Sequence, residues 1–86
     1  MSDVNKKHKI DELDRATIMR IASHAKELRI QMGYSYEAFA MHAKIHRNTY
    51  FKFEKSAITG DNFTVAILTK VIRGLSMTLD SFFKGL

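Results

Sequence analysis

"SYEAFAMHAKIHRNTYFKFEK", Ser35 to Lys55, contains two short segments that read as helices, with a connector of about four residues between them. In the first, Ser35 sits where an N-cap belongs, and Glu37 lies in the first turn, where a carboxylate favours the helix dipole. Ala38, Phe39, Ala40 and Met41 or Ala43 make up this short helix. Ile45 stands alone between polar neighbours, as if plugging a turn. The second segment runs from about Arg47 to Lys55. Together with His46 it mixes Arg47, Lys52 and Lys55 with the rings of Tyr50, Phe51 and Phe53. Helical phase sorts that mixture. Tyr50 and Phe53 share one face, whereas Arg47, Asn48, Phe51 and Lys52 fall on the other.

Upstream, Ile18, Ile21, Ala22, Ala25, Leu28 and Met32 recur at helical spacing. Asp11 or Asp14 can cap the start of that helix, and Gly33 stands where a left-handed C-cap residue belongs. Downstream, "SAITGD" reads as a loop pivoting on Gly60. Asn62 or Thr64 can cap a fourth helix that turns Val65, Leu68, Val71, Ile72 and Leu75 inward. Thr78 or Ser76 opens a last short helix, "LDSFF". The chain has no proline and only four glycines, and no stretch alternates cleanly enough for a strand. The expectation is a compact all-α domain of five helices over residues 11–86, preceded by a flexible basic arm, residues 1–10, that includes Lys6, Lys7 and Lys9.

At 86 residues the chain suffices for one small domain and a modest core. It has no cysteine, which excludes a disulfide framework and a thiolate zinc site and fits a reducing compartment. It also has no apolar run near the roughly 20 residues a membrane span needs, and no apolar core to its N-terminal stretch that would make a secretory signal. A cytoplasmic protein is expected. The formal net charge is +5. The excess concentrates in residues 1–9 and in residues 44–60, where Lys44, Arg47, Lys52 and Lys55 face only Glu54. Clustered positive charge suits a polyanion; it suits a merely solvated face as well.

Two short helices with a tight connector, the second basic, suggest a helix-turn-helix. The second helix needs an apolar back to stay in the domain and polar side chains in its first turns to reach base edges. Arg can take guanine O6 and N7 together, and Asn can take adenine N6 and N7. Arg47 and Asn48 occupy the first turn, and Lys52 follows one turn later.

The run "ELRIQMGYSYEAFAMHAKIHRNTYFKFEK" resembles the xenobiotic-response-element family, the phage lambda repressor and Cro-like DNA-binding domains. The resemblance lies in "LRIQMGYS" at 28–35, "EAFA" at 37–40, "AKI" at 43–45 and Glu54, and continues in "TVAILTKVIRGLSMTLDSFF". It spans about residues 16–83. It implies a five-helix lambda-repressor-like fold whose helices 2 and 3 form the helix-turn-helix, and a regulator of transcription that reads the major groove of double-stranded DNA. By position it implies base reading by Arg47, Asn48 and Lys52, and phosphate contacts by Ser35, Tyr36 and His46; Lys44 and Thr49 are expected to hold phosphates as well. It also implies an ion pair between Arg29 and Glu54. Tyr36 stands where the family usually has Gln, Lys44 where a turn Gly is usual, and Phe51 where a small polar residue is common. Phe51 could cover a thymine methyl, pack on Tyr34 or Tyr36, or meet a partner.

The family's habit of dimerisation implies a homodimer on a two-fold symmetric site. Phe82, Phe83 and Leu86 are candidate dimer contacts if they are not simply core. Other readings keep the fold: a protein–protein interaction module, favoured by the neutral "SAITGD" loop, or the antitoxin of a toxin–antitoxin pair. No metal site is expected, since His42 and His46 lie on either side of the turn and no cysteine supports them. No cofactor and no enzyme activity are expected, because neither a nucleophile motif nor a glycine-rich phosphate loop is present.

Overall fold

Side-chain caps start all five helices among the described residues. In the computed structural model, which describes residues 11–86, the Asp11 carboxylate accepts the Leu13 N–H at 3.1 Å and opens α1, Glu12–Gln31. Ser35 opens α2, Tyr36–Ala43. His46 opens α3, Arg47–Thr59. Thr64 opens α4, Val65–Gly74, and Thr78 opens α5, Leu79–Lys84. Each cap satisfies an N–H that the helix itself leaves without a partner. Among the described residues there is no strand, so the fold is all-α and compact. No helix among them is long and apolar enough to cross a membrane. The stretch expected to form an N-terminal arm lies outside the described residues.

α1 packs mainly along α3, and α2 packs against both α3 and α4. Phe39 from α2, Tyr50 and Phe53 from α3, Val71 from α4 and Phe82 from α5 are essentially fully buried where these helices meet. Burying one such apolar side chain stabilises the fold by about 1.5–3 kcal/mol. Ile45 joins this core from the turn between α2 and α3. The apolar plug expected there is in place, its N–H donating to the Ala40 carbonyl at 2.9 Å.

α4 comes close enough to α2 to require a glycine. A Cβ on Gly74 would lie 2.8 Å from the Ala43 Cβ and 3.0 Å from the Phe39 ring. No residue larger than glycine fits without moving the partly buried Ala43 or the buried Phe39 ring.

Four expectations need correction. α3 runs on to Thr59, so Ser56–Thr59 are helical and Gly60, at φ +70°, is its left-handed C-cap rather than the pivot of a longer loop. The extra turn is held by Arg15, whose guanidinium donates to the Thr59 carbonyl at 2.7 Å, and by the burial of Ser56. Met32, expected in the α1 stripe, is exposed, because the helix has ended at Gln31 and its stripe has rotated past the core. Val65, expected inward, occupies the first position of α4 on its outer side. Ser76 does not open α5; it adopts φ +60° just after α4, and Thr78 supplies the cap through a capping box with Ser81.

Candidate functional site

The orientation of α3 is set from beneath. Tyr50 and Phe53 anchor it in the core, and Glu54 ties it to α1. The Arg29 guanidinium donates to both Glu54 oxygens, at 2.5 Å from Nε and 3.0 Å from Nη2, and its Nη1 donates to the Tyr34 carbonyl at 2.6 Å. The Tyr50 hydroxyl donates to the same carboxylate. The Arg29 and Glu54 side chains are only 10% and 11% exposed, so this is a nearly dry, fully paired cluster rather than a surface bridge. Donation to Glu54 raises the Arg29 pKa against the opposing effect of burial. Burial, followed by donation to Glu54, raises that of the Tyr50 phenol well above its ordinary value. The participation of Tyr50 had no sequence signal beyond its spacing of four residues from Glu54.

The opposite face of α3 is open. Arg47, Asn48, Thr49 and Lys52 are all exposed, and Phe51 and Lys55 lie among them. His46 closes the N-terminus of α3 with Nδ1 accepting the Asn48 N–H at 3.2 Å, which puts the ring proton of the neutral form on Nε2, where it has no partner among the described residues. Lys44 ends α2 at φ +60° and ψ +43°. The tight turn therefore keeps left-handed geometry without a glycine, at a cost of roughly 1 kcal/mol.

The start of α2 borders this surface. The Ser35 hydroxyl accepts the Ala38 N–H at 3.1 Å, and the N–H groups of Tyr36 and Glu37 have no partner among the described residues. Glu37 reaches across the turn to Arg47 at 3.0 Å, with both side chains more than half exposed. Such a pair is worth at most about 1 kcal/mol and exchanges readily for another partner. The ten-residue separation of Glu37 and Arg47 gives no sequence signal; only the turn geometry brings them together.

Phe51 is 47% exposed. Tyr36 packs beside it with ring centroids 5.8 Å apart, and the Lys55 ammonium sits 5.4 Å from its centroid. Of the two rings expected near Phe51 within the chain, Tyr36 is the one in contact; Tyr34 instead stacks on His42. Lys55, counted in the sequence only as part of the basic stretch, joins this surface through its spacing of four residues from Phe51. A second basic concavity forms where Lys44 meets Lys70, Arg73 and Ser76 of the α4 end, beside His42. The His42 Nε2 lies 3.0 Å from the Gly74 carbonyl.

Phe82 has no surface to offer a second subunit. It is wholly buried, against His24 and Phe83, because α5 folds back onto the core. Phe83 is 40% exposed and Leu86 is partly buried, so of the three expected dimer contacts only these two retain accessible surface. Among the described residues no three His, Asp or Glu side chains gather as metal ligands.

Comparison with protein-family models, with curated proteins and with solved structures found no match.

Proposed function

We propose that this domain binds double-stranded DNA sequence-specifically as a transcriptional regulator, with α2 and α3 acting as a helix-turn-helix and α3 entering the major groove. The observation that carries this is the division of α3. Tyr50, Phe53 and Glu54 fix one side, while Arg47, Asn48 and Lys52 stand exposed on the other, beginning in the first turn. A helix so anchored presents guanine- and adenine-complementary groups at low entropic cost. The Tyr36 and Glu37 N–H groups, Ser35, Lys44, Thr49 and the Nε2–H of His46 serve as phosphate ligands around the groove-facing side of that helix. Glu37 releases Arg47 when a base replaces it. A two-fold symmetric site and a homodimer, with Phe83 and Leu86 at the interface, complete the proposal.

A protein-binding role for the same fold is favoured by one observation. The α3–α4 connection, Gly60 to Thr64, carries Asp61 and no cation to meet a phosphate. Selection of bound duplexes from random DNA, followed by a salt titration, separates the two. DNA binding gives an enriched motif and an affinity that falls steeply with salt, by a slope of about −0.9 per phosphate contacted. Failure to enrich any duplex at low salt defeats the DNA proposal.

A further inference from the structure

Phe51 is the one large apolar side chain on the open face of α3 within about one turn of Arg47, Asn48 and Lys52. It belongs to no part of the buried core. A lone exposed ring is ordinary on a protein surface; this one is also held. Tyr36 buttresses it from α2, and Lys55 lies over the ring from the next turn of its own helix. A ring restrained from two sides loses little freedom when a third surface meets it. It carries no donor and no acceptor, so amid hydrogen-bonding neighbours it offers only an apolar contact.

Base edges in the major groove present one apolar group, the C5-methyl of thymine. We propose that Phe51 is a specificity-determining residue that reads a thymine methyl beside the bases met by Asn48 and Lys52, an inference that rests on the DNA-binding reading above. Tyr36 then acts as a positioning residue, holding the ring at the groove-facing surface. The residue thereby adds a thymine to a site that Arg47 and Asn48 alone would define only by guanine and adenine.

The test uses the duplex selected from random DNA, with each thymine in turn replaced by deoxyuridine, which lacks only that methyl. The wild-type chain, Phe51→Ala and Phe51→Leu are titrated at one salt concentration, after circular dichroism has checked that each is folded. One thymine position per half-site is expected to be sensitive, with wild-type affinity falling about fourfold per methyl removed. Phe51→Ala should bind the thymine duplex more weakly and be indifferent to the replacement, while Phe51→Leu keeps part of the sensitivity. Wild-type protein binding the fully deoxyuridine-substituted duplex as tightly as the original overturns the inference. So does Phe51→Ala retaining the full fourfold discrimination. In either case a selected motif still supports DNA binding, whereas no enriched duplex at all defeats that reading and this inference with it.

Discussion

Replacing Arg29 by Met tests whether the cluster under α3 is what holds it. The substitution keeps an unbranched apolar stem but deletes the three guanidinium hydrogen bonds, two to Glu54 and one to the Tyr34 carbonyl. It leaves the Glu54 carboxylate, 11% exposed, with the Tyr50 hydroxyl as its only remaining donor among the described residues. Breaking a buried pair on one side costs roughly 3–5 kcal/mol; the residual exposure here puts the expectation at the lower end, about 3–4 kcal/mol. A domain of this size is stable by about 4–11 kcal/mol in all, so the variant should melt lower by roughly 12–30 °C. Urea denaturation of Arg29→Met, Glu54→Leu and the double variant closes a double-mutant cycle. Each single change strands the other member of the pair and should cost a similar amount. The double change strands neither charge and should cost at least about 2 kcal/mol less than their sum. A cost for Arg29→Met below about 1 kcal/mol, or an additive cycle, would refute the claim that this pair fixes α3.

The Tyr50 phenol keeps its proton in the folded state above the ordinary value of 10.0, because it is buried and donates to Glu54. Its contribution to stability is therefore complete below about pH 10 and declines as pH rises towards the folded value, by about 1.4 kcal/mol per pH unit. Tyr50→Phe should flatten that alkaline limb by one proton, read by denaturation between about pH 9 and pH 11; an unchanged slope would contradict it. Gly74→Ala should destabilise by about 1–3 kcal/mol despite alanine's better helix propensity, because its Cβ meets Ala43 and Phe39; an increased denaturation midpoint would show that α2 and α4 have room to spare. Arg47→Ala and Asn48→Ala should each relax base preference at a defined position by roughly 1–3 kcal/mol in repeat duplex selection. Wild-type selectivity in both variants would remove α3 as the reading helix.

The five helices of the described residues were legible because helix signals are local. Ser35 announces its helix by type and position, Thr78 was one of two candidate caps for the last one, and Ile45 stands out as an apolar residue in a polar turn. Less was legible at the ends of elements. α3 outlasts Lys55 because Arg15, 44 residues earlier, donates to its final carbonyl. Val65 and Met32 look like members of their apolar stripes, yet each sits at a helix terminus where the core no longer reaches. On the candidate surface, side-chain chemistry marked Arg47, Asn48 and Lys52, but the Glu37–Arg47 contact and the buttressing of Phe51 by Tyr36 depend on how one helix turns into the next.

Periodicity and capping chemistry act over a few residues, so the order of amino acids was enough to specify where the helices lie, most of their inward faces and the basic character of α3. Close approach between helices acts over dozens of residues and selects among side chains that look equivalent in one dimension. Packing sent Phe82 into the core and left Phe83 partly outside it. It made Gly74 necessary at the end of α4, where it packs against Ala43 and Phe39. It also joined Tyr50 to Arg29 and Glu54, turning a two-residue ion pair into a three-residue anchor for the exposed face of α3.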